Sequence, residues 1–278
     1  MTELPYIYRP PESVETPLVV SVPHAGERVD DEDAPLLIAS ERTRRMDADL
    51  HVDRLYQNAP SLGAAFLAAT VSRYVLDLNR GPGDVDAEVC PTHPAPIPAN
   101  PRALIWRLST GGDAVQARGL TMAELQSRID RIHRPYHKRL SALLNDRVER
   151  FGYAILLDAH SMPSVGRVTH ADTGQRRADI VPGDNRGKSC EAALRELVMS
   201  HFSEQGFSVA LNKPYSGGWI TRNYGRPADG VHAIQVELNR SLYLDEEVPA
   251  WNAASAGRLQ VVLDALVRRL ATYRPVSG

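Results

Sequence analysis

The stretch LVVSVPHAGERV, residues 18–29, determines the predicted fold. Its first residues form an apolar run that suits a buried strand. The run ends in a loop that carries His24 and Glu27. In open α/β sheets, ligands and chemistry are usually found in the loops beyond the carboxyl ends of the strands. The stretch therefore predicts an α/β fold with a functional site where this strand ends.

Strand-like runs recur along the chain, with helical patterns between them. The predicted strands are residues 17–22, 64–70, 73–78, 153–159, 207–211 and 231–238. The predicted helices are residues 41–58, 121–151, 189–204 and 247–273, and Pro135 is expected to interrupt the second. Several strands are almost continuously apolar, as in sheets covered on both faces. We therefore expect a three-layer α/β/α sandwich with a mixed, largely parallel central sheet.

Length and composition indicate one soluble domain covering residues 1–278. The 32 Lys+Arg and 34 Asp+Glu residues give a net charge of −2, which argues against nucleic acid or an anionic membrane as a partner. Two cysteines are too few for a disulfide framework. No signal peptide or long apolar run is recognised, so we expect a cytoplasmic protein. Its oligomeric state is not predicted.

A second strand end carries metal-binding side chains. The stretch ILLDAHSM, residues 155–162, places Asp158 and His160 at the end of a buried-type strand. Together with His24, it offers two imidazoles from two strand ends and a carboxylate that could orient one of them. This combination is typical of a catalytic zinc site, although a single histidine of this kind is more often structural.

A catalytic zinc commonly has three protein ligands, so a carboxylate is expected as the third. Glu27 lies in the same loop as His24, whereas Asp49 lies in RRMDADLHVDRL, residues 44–55, with Asp47 beside it. The alternative for these aspartates is a solvated helix face. The residues alone leave the choice open.

The stretch HAIQVELNR, residues 232–240, places Glu237 in an otherwise apolar strand. A buried carboxylate is costly unless it is paired or functional. Glu237 is therefore a candidate general base beside the metal. The alternative is a salt bridge to Arg240 or to another arginine.

Two further stretches suggest binding of an acidic substrate. YVLDLNRG, residues 74–81, presents Asn79 and Arg80 at the end of a predicted strand, and a guanidinium matches a carboxylate in a bidentate manner. PYSGGWITRNYG, residues 214–225, carries Arg222 for a second carboxylate, with Tyr224 nearby. Its alternative is a glycine turn with surface polar residues. The Pro/Gly-rich residues 81–119 are expected to be a lid or binding loop, or disordered.

Seven stretches together carry a family resemblance. They are SVPHAGE, DADLHVDRLY, DLNRGP, HRPYHKRL, LLDAHSM, GGWITRNYG and HAIQVELNRSLY, in that order up to residue 243. They resemble the N-formylglutamate amidohydrolase family, itself similar to zinc carboxypeptidases and aspartoacylases. The resemblance implies a phosphorylase/hydrolase-like α/β/α fold and zinc-dependent amide hydrolysis.

The resemblance also implies residue roles. His24 and His160 would bind zinc, Glu237 would be the general base or acid, and Asn79 with Arg80 would bind a substrate carboxylate. For the third ligand the family motif favours Asp49. The carboxypeptidase pattern His-x-x-Glu favours Glu27 instead, and Asp47 follows as a third choice.

The expected reaction is hydrolysis of N-formyl-L-glutamate, or of a similar small N-acyl acidic amino acid, to formate and L-glutamate, as in histidine degradation. A metallocarboxypeptidase or another N-acyl-amino-acid amidohydrolase is the alternative, because the same groups would serve these reactions. A hypothesis of another class is a non-catalytic metal- or ligand-binding pseudoenzyme. The presence of Glu237 together with both histidines argues against it.

Overall fold

A computed structural model describes residues 3–98 and 100–276, and a mixed six-stranded sheet lies at its centre. The strands are β1 (Tyr6–Arg9), β2 (Leu18–Val22), β3 (Ala65–Ala69), β4 (Ala154–Met162), β5 (Ile180–Gly183) and β6 (Val231–Asn239). Their order is β1-β3-β2-β4-β6-β5. The four inner strands are parallel, and the two edge strands are antiparallel to their neighbours. The predicted mixed, largely parallel sheet is confirmed.

Helices cover both faces of the sheet. They are α1 (Glu41–Asp47), α2 (Val52–Leu55), α3 (Met122–Arg128), α4 (Arg134–Phe151), α5 (Ala192–Glu204), α6 (Trp219–Tyr224) and α7 (Ala253–Thr272). Side chains alternate along each inner strand: Leu18 and Val20 belong to one apolar core, and Val19 to the other. The core of Leu18 includes residues of α2, α5 and α7, and that of Val19 includes residues of α3, α4 and α6. The protein is therefore an α/β/α sandwich.

Two of the predicted strands are not found as strands: residues 73–78 form none, and residues 207–211 form only one bridge. Residues 73–78 form turns, in which the amide of Val75 bonds to the carbonyl of Ser72. Their apolar side chains are buried, but the backbone of this segment does not pair with a strand. The apolar composition therefore predicted the burial correctly and the extended conformation wrongly. Residues 207–211 contribute a single bridge, from Val209 to Ile180 at the sheet edge.

The helices also differ from their predicted bounds. The predicted helix 41–58 is interrupted between α1 and α2, where His51 has a φ of 61°. Helices α3 and α4 are joined by a π-helical segment, Ile129–His133, which ends two residues before Pro135. The chain stays helical through Pro135, so the expected kink or break appears only as this π-helical segment just before it. A small hairpin of β7 (Leu244–Asp245) and β8 (Ala250–Trp251) precedes α7.

Residues 81–98 and 100–119 pack against the rest of the protein. Val85, Val89 and Leu104 belong to the core around Val19, and Trp106 and Val115 form a smaller cluster. Cys90 and Cys190 are both buried and unpaired. No helix in the described part of the chain has the length and apolar character needed to cross a bilayer.

Candidate active site

A cavity of about 350 Å³ opens at the carboxyl ends of β2, β4 and β6. Parallel pairing brings these ends to one edge of the sheet, where open α/β folds bind their ligands. Its lining includes the metal-ligand candidates His24, Asp49 and His160, together with Glu237. The structure therefore brings together the candidates from the two histidine-bearing strand ends and from β6.

His24 lies two residues beyond β2 and is 2% exposed. Its Nε2 is 2.7 Å from Oδ1 of Asp77. Because a carboxylate only accepts, this nitrogen carries the ring proton and donates it. The other nitrogen, Nδ1, lies 3.4 Å from Asp49 Oδ2 and has no hydrogen-bond partner among the described residues. A buried nitrogen lone pair is thus left facing Asp49.

His160 lies near the end of β4, and its ring centroid is 4.8 Å from that of His24. Its Nδ1 is 3.0 Å from Asp49 Oδ2, and its Nε2 is 3.2 Å from both Asp158 Oδ1 and Asn79 Nδ2. Burial alone would lower the pKa of His160, but the negative charge of the nearby Asp158 and the contact with Asp49 outweigh it and raise the pKa well above its ordinary value. Asp158 thus lies beside His160, and its orienting role stays a prediction.

Asp49 completes the cluster from the interruption between α1 and α2. Its amide donates to the carbonyl of His24 at 3.0 Å, which ties the two segments together. Its Oδ1 accepts from Arg240 Nη2 at 3.0 Å, so Oδ2 is left to face the histidines. Burial would raise the pKa of Asp49, but the hydrogen bond with His160 and the nearby His24 ring outweigh it and hold the pKa well below its ordinary value.

The other two carboxylates considered as third ligand are not part of the cluster. Glu27 bonds to Arg45 with its side chain 41% exposed, and it is not part of the cluster. Asp47 is buried, but its oxygens accept from Tyr74, Thr110 and Arg167. These bonds make Asp47 an anchor for two loops over the site.

The cluster fits a metal ion. One ligand atom from each of His24, Asp49 and His160 lies within 4.8 Å of the others, and all three residues are buried. Each histidine has a carboxylate beside the nitrogen that faces away from the cluster, as in carboxylate–histidine–metal arrangements. The unpartnered Nδ1 of His24 is the atom that a cation would satisfy. Two histidines and one carboxylate form a donor set found in catalytic zinc sites.

Glu237 pairs with His160 across the β4–β6 ladder and is 7% exposed. Its Oε1 accepts from Gln235 Nε2 at 2.8 Å. Burial, assisted by the charge of Asp49, raises the pKa of Glu237 to about 7, against the opposing effect of His160. Arg240 is paired with Asp49, so the simple Glu237–Arg240 salt bridge that served as the structural alternative is not formed. A carboxyl group with this pKa suits proton transfer near neutral pH.

Asn79 and Arg80 lie in the cavity wall. Asn79 Oδ1 accepts from the amide of Ile220 at 2.8 Å, and its carbonyl is 3.3 Å from the amide of Trp219. Arg80 donates through Nε to the carbonyl of Arg102 at 2.9 Å. This bond orients the Arg80 guanidinium, which lines the cavity together with Asn79.

Three cavity arginines, Arg80, Arg102 and Arg222, have no ion-pair partner within residues 3–98 and 100–276. Arg102 is held by Thr169, to whose side chain and carbonyl it donates. Arg222 is exposed. Tyr224, by contrast, is turned inward, and its hydroxyl lies 3.0 Å from His137 Nδ1. Arg222 therefore lies at the cavity, whereas the hydroxyl of Tyr224 points away from it.

The sequence prediction gave no functional role to several residues that lie in the site or support it. They are Arg73, Asp77, Arg102, Trp106, Gln235 and Arg240. Asp77 supports His24, and Arg73 bonds to Asp77 at 2.8 Å while lying over the Trp106 ring. Gln235 offered a signal, since it is a polar residue two positions before Glu237 on the same face of a buried strand. Arg102 offered none, because it lies in an irregular loop.

Comparisons with known proteins find a matching family and similar curated sequences. A family described as N-formylglutamate amidohydrolase matches residues 16–244. The chain is 36% identical to an N-formylglutamate deformylase of Pseudomonas putida over 262 residues, which is 92% of this chain and 93% of the relative. It is also 36% identical, over 270 residues, to the enzyme of the same name from Pseudomonas aeruginosa PAO1, with the same coverage.

Solved structures give the same result. The crystal structure of N-formylglutamate amidohydrolase from Ralstonia eutropha JMP134 superposes with a TM-score of 0.89 at 33% identity, covering 98% of both chains. The gene product Atu2144 from Agrobacterium tumefaciens, at 18% identity, superposes with a TM-score of 0.71, covering 96% of this chain and 95% of its own. The second likeness shows a shared fold.

Proposed function

Since this chain belongs to the N-formylglutamate amidohydrolase family and is an amidohydrolase, we propose that it hydrolyses N-formyl-L-glutamate to formate and L-glutamate with a bound zinc ion. The observation that carries the proposal is the joint placement of His24, Asp49 and His160 beside Glu237 in one cavity. A cavity with unpaired arginines would attract a substrate that carries two carboxylates.

His24, Asp49 and His160 would hold the zinc. When bound, zinc supplies Lewis-acid chemistry, polarising a carbonyl and lowering the pKa of water. Glu237 would take a proton from the water that attacks the formyl carbon. It would then return this proton to the glutamate nitrogen as the C–N bond breaks. The burial of Glu237 and its hydrogen bond from Gln235 support a role for this one carboxyl group in both transfers.

The arginines would orient the substrate and not touch the reacting atoms. Arg80, which donates to the carbonyl of Arg102, would bind one substrate carboxylate, and Asn79 would bind the same carboxylate. Arg102 and Arg222 would bind the second. Binding energy from such distant contacts can be used to align the formyl group with Glu237.

Chelation tests the role of the metal. The purified protein should release formate from N-formyl-L-glutamate, lose this activity after treatment with EDTA, and regain it with zinc. Metal analysis of the purified protein should show about one ion per chain, as the three-residue cluster predicts. Full activity in thoroughly chelated protein would contradict the metal-dependent mechanism.

A substrate panel tests the acyl group and the amino acid. The same chain should be assayed with N-formyl, N-acetyl and N-succinyl glutamate and with a dipeptide that ends in glutamate. We expect formate release to be fastest. If the dipeptide or another N-acyl glutamate is cleaved faster, that compound and not N-formylglutamate would be assigned as the substrate.

A further inference from the structure

The stretch HRPYHKRL, residues 133–140, has no part in the proposed reaction, yet its two histidines are buried behind the cavity wall. His133 is 4% exposed and His137 is 7% exposed. They are four residues apart, which places them on one face of the helix, and their ring centroids are 4.1 Å apart. Two adjacent buried imidazoles need hydrogen-bond partners.

Their partners lie on both sides of Asn79. His137 Nε2 is 2.9 Å from the carbonyl oxygen of Leu78, and His133 Nε2 is 3.0 Å from that of Arg80. A carbonyl oxygen only accepts, so each Nε2 carries the ring proton and donates. The two histidines therefore bind the backbone immediately before and after Asn79.

The surroundings hold both rings in this orientation. His137 Nδ1 is left to accept from the Tyr224 hydroxyl, 3.0 Å away. The Trp219 ring lies 4.7 Å from the His137 ring and 5.5 Å from the His133 ring. Burial lowers the pKa of both histidines, which keeps each ring neutral with a single N–H to donate.

The helix itself is adapted at this point. The π-helical segment Ile129–His133 ends at the first of the two histidines, and Pro135 follows in the first turn of α4. Short π segments inside α-helices occur often at functional sites, where they redirect side chains. Here the segment lies where the helix faces the backbone that carries Asn79 and Arg80.

We propose that His133 and His137 are positioning residues for substrate binding. They fix the Leu78–Arg80 backbone, so that the Arg80 guanidinium meets a substrate carboxylate and the Asn79 amide remains beside His160. This inference rests on the proposed hydrolysis of N-formylglutamate. Neither histidine touches the substrate, and both act through Arg80 and Asn79.

The test compares two substitutions at His133. In His133→Gln the side-chain amide nitrogen extends about as far as Nε2 and can still donate to the carbonyl of Arg80. In His133→Asn the side chain is too short to reach this carbonyl. We expect the Asn variant to raise KM for N-formylglutamate about tenfold, the effect of losing roughly one charge-assisted hydrogen bond, with a smaller change in kcat. The Gln variant should restore most of this loss.

A double-mutant cycle with Arg80→Ala separates positioning from general destabilisation. If His133 acts through Arg80, adding His133→Asn to Arg80→Ala should change KM by less than about twofold. Equal effects in both backgrounds, or a Gln variant no better than the Asn variant, would overturn the proposal.

His201 provides the matched control. It is 3% exposed and its Nε2 is 2.9 Å from the carbonyl of Val262, so it makes the same kind of bond between α5 and α7. His201→Asn should lower the melting temperature without raising KM. A similar KM increase in this variant would also argue against a specific role for His133.

Hydrogen exchange gives a readout independent of activity. Backbone amides of residues 76–84 should exchange faster in His133→Asn than in the wild-type protein or in His201→Asn. Unchanged exchange in this segment would refute the positioning role. If the wild-type protein does not hydrolyse N-formylglutamate, the proposed function fails, and the exchange measurement still decides whether His133 holds the segment.

Discussion

At the scale of single residues, the chemistry of the site follows from the two nitrogens of His24. The Nε2–H of His24 donates to Asp77, which leaves the lone pair of Nδ1 in the interior with no partner among the described residues. An unsatisfied buried polar atom is costly, by about 1–3 kcal/mol. A cation between His24, Asp49 and His160 would remove this cost, so the metal is expected to stabilise the site as well as to serve the reaction.

Glu237→Gln should separate catalysis from binding. The glutamine cannot carry a proton from the water to the leaving nitrogen, so we expect kcat to fall by about 10²–10⁴-fold, the usual contribution of general acid–base catalysis. KM should change little, because the side chain keeps its volume. Steady-state kinetics of formate release would measure both constants. A normal kcat with a raised KM would make Glu237 a binding residue.

Glu27→Gln is the matched control for this substitution. Glu27 is the rival metal ligand, but its carboxylate pairs with Arg45 near the surface. An exposed ion pair contributes about 0–1 kcal/mol, so the variant should keep its metal content and activity. Loss of the metal in Glu27→Gln, with retention in Asp49→Asn, would reverse the assignment of the third ligand.

Arg102→Ala should weaken substrate binding. Its guanidinium lines the cavity, has no carboxylate partner in the described part of the chain, and is held by Thr169. Loss of a charge-assisted contact of about 1.5–3 kcal/mol predicts a KM roughly 10–100-fold higher, with kcat less affected. Arg107→Ala is the control, because Arg107 lies in the same loop but pairs with Glu88. An equal effect of both substitutions would indicate that the loop and not Arg102 is responsible.

At the scale of elements, the strands that carry the site were predictable because they are buried on both faces. The continuous apolar runs that end before His24, His160 and Glu237 correspond to β2, β4 and β6. Residues 73–78 have a similar composition but form turns. Local composition reports burial, and it cannot distinguish a strand from a coiled segment in the same core.

The third ligand candidate depends on an interruption that the sequence pattern did not show. Helical spacing continues across residues 41–58, yet the helix stops after Asp47 and resumes at Val52. Asp49 lies in this gap, where its amide binds the carbonyl of His24. Such long-range bonds override local helix preference. The family resemblance, and not periodicity, favoured Asp49.

Gly218→Ala tests the fit between α6 and the segment that carries Asn79. A Cβ at position 218 would lie 2.1 Å from Asn79 Nδ2, so the Asn79 side chain would have to move. Asn79 contacts His160 and accepts from the amide of Ile220, and both contacts would be disturbed. We expect kcat/KM to fall at least about tenfold, the size of one lost hydrogen bond that aligns the site.

Gly257→Ala is the control for this substitution. Position 257 lies inside α7, and an added Cβ there would meet nothing within 4 Å. Alanine in place of a helical glycine should raise the free energy of unfolding by about 0.5–1 kcal/mol and leave activity unchanged. Thermal melting and kinetics of both variants make the comparison. Full activity of Gly218→Ala would contradict the tight contact with Asn79.

At the scale of the whole molecule, the site joins segments that are distant in sequence. The three candidate ligands come from the loop after β2, the gap between α1 and α2, and the end of β4. Asp47 adds Thr110 and Arg167 from two further loops. The cluster therefore lies where much of the chain meets, and its occupancy should affect global stability.

Metal removal should lower the melting temperature. A cation that binds only the folded state stabilises it by about 4 kcal/mol at a thousandfold excess over Kd, which corresponds to roughly 8–16 °C for a chain of this size. Scanning calorimetry with zinc and with EDTA would measure the shift. Asp49→Asn should lose the zinc response, because it removes the ligand that faces both histidines, whereas Glu27→Gln should retain it. If the wild-type protein melts at the same temperature in both conditions, the three residues do not hold a metal, and the buried Nδ1 of His24 must be satisfied in another way.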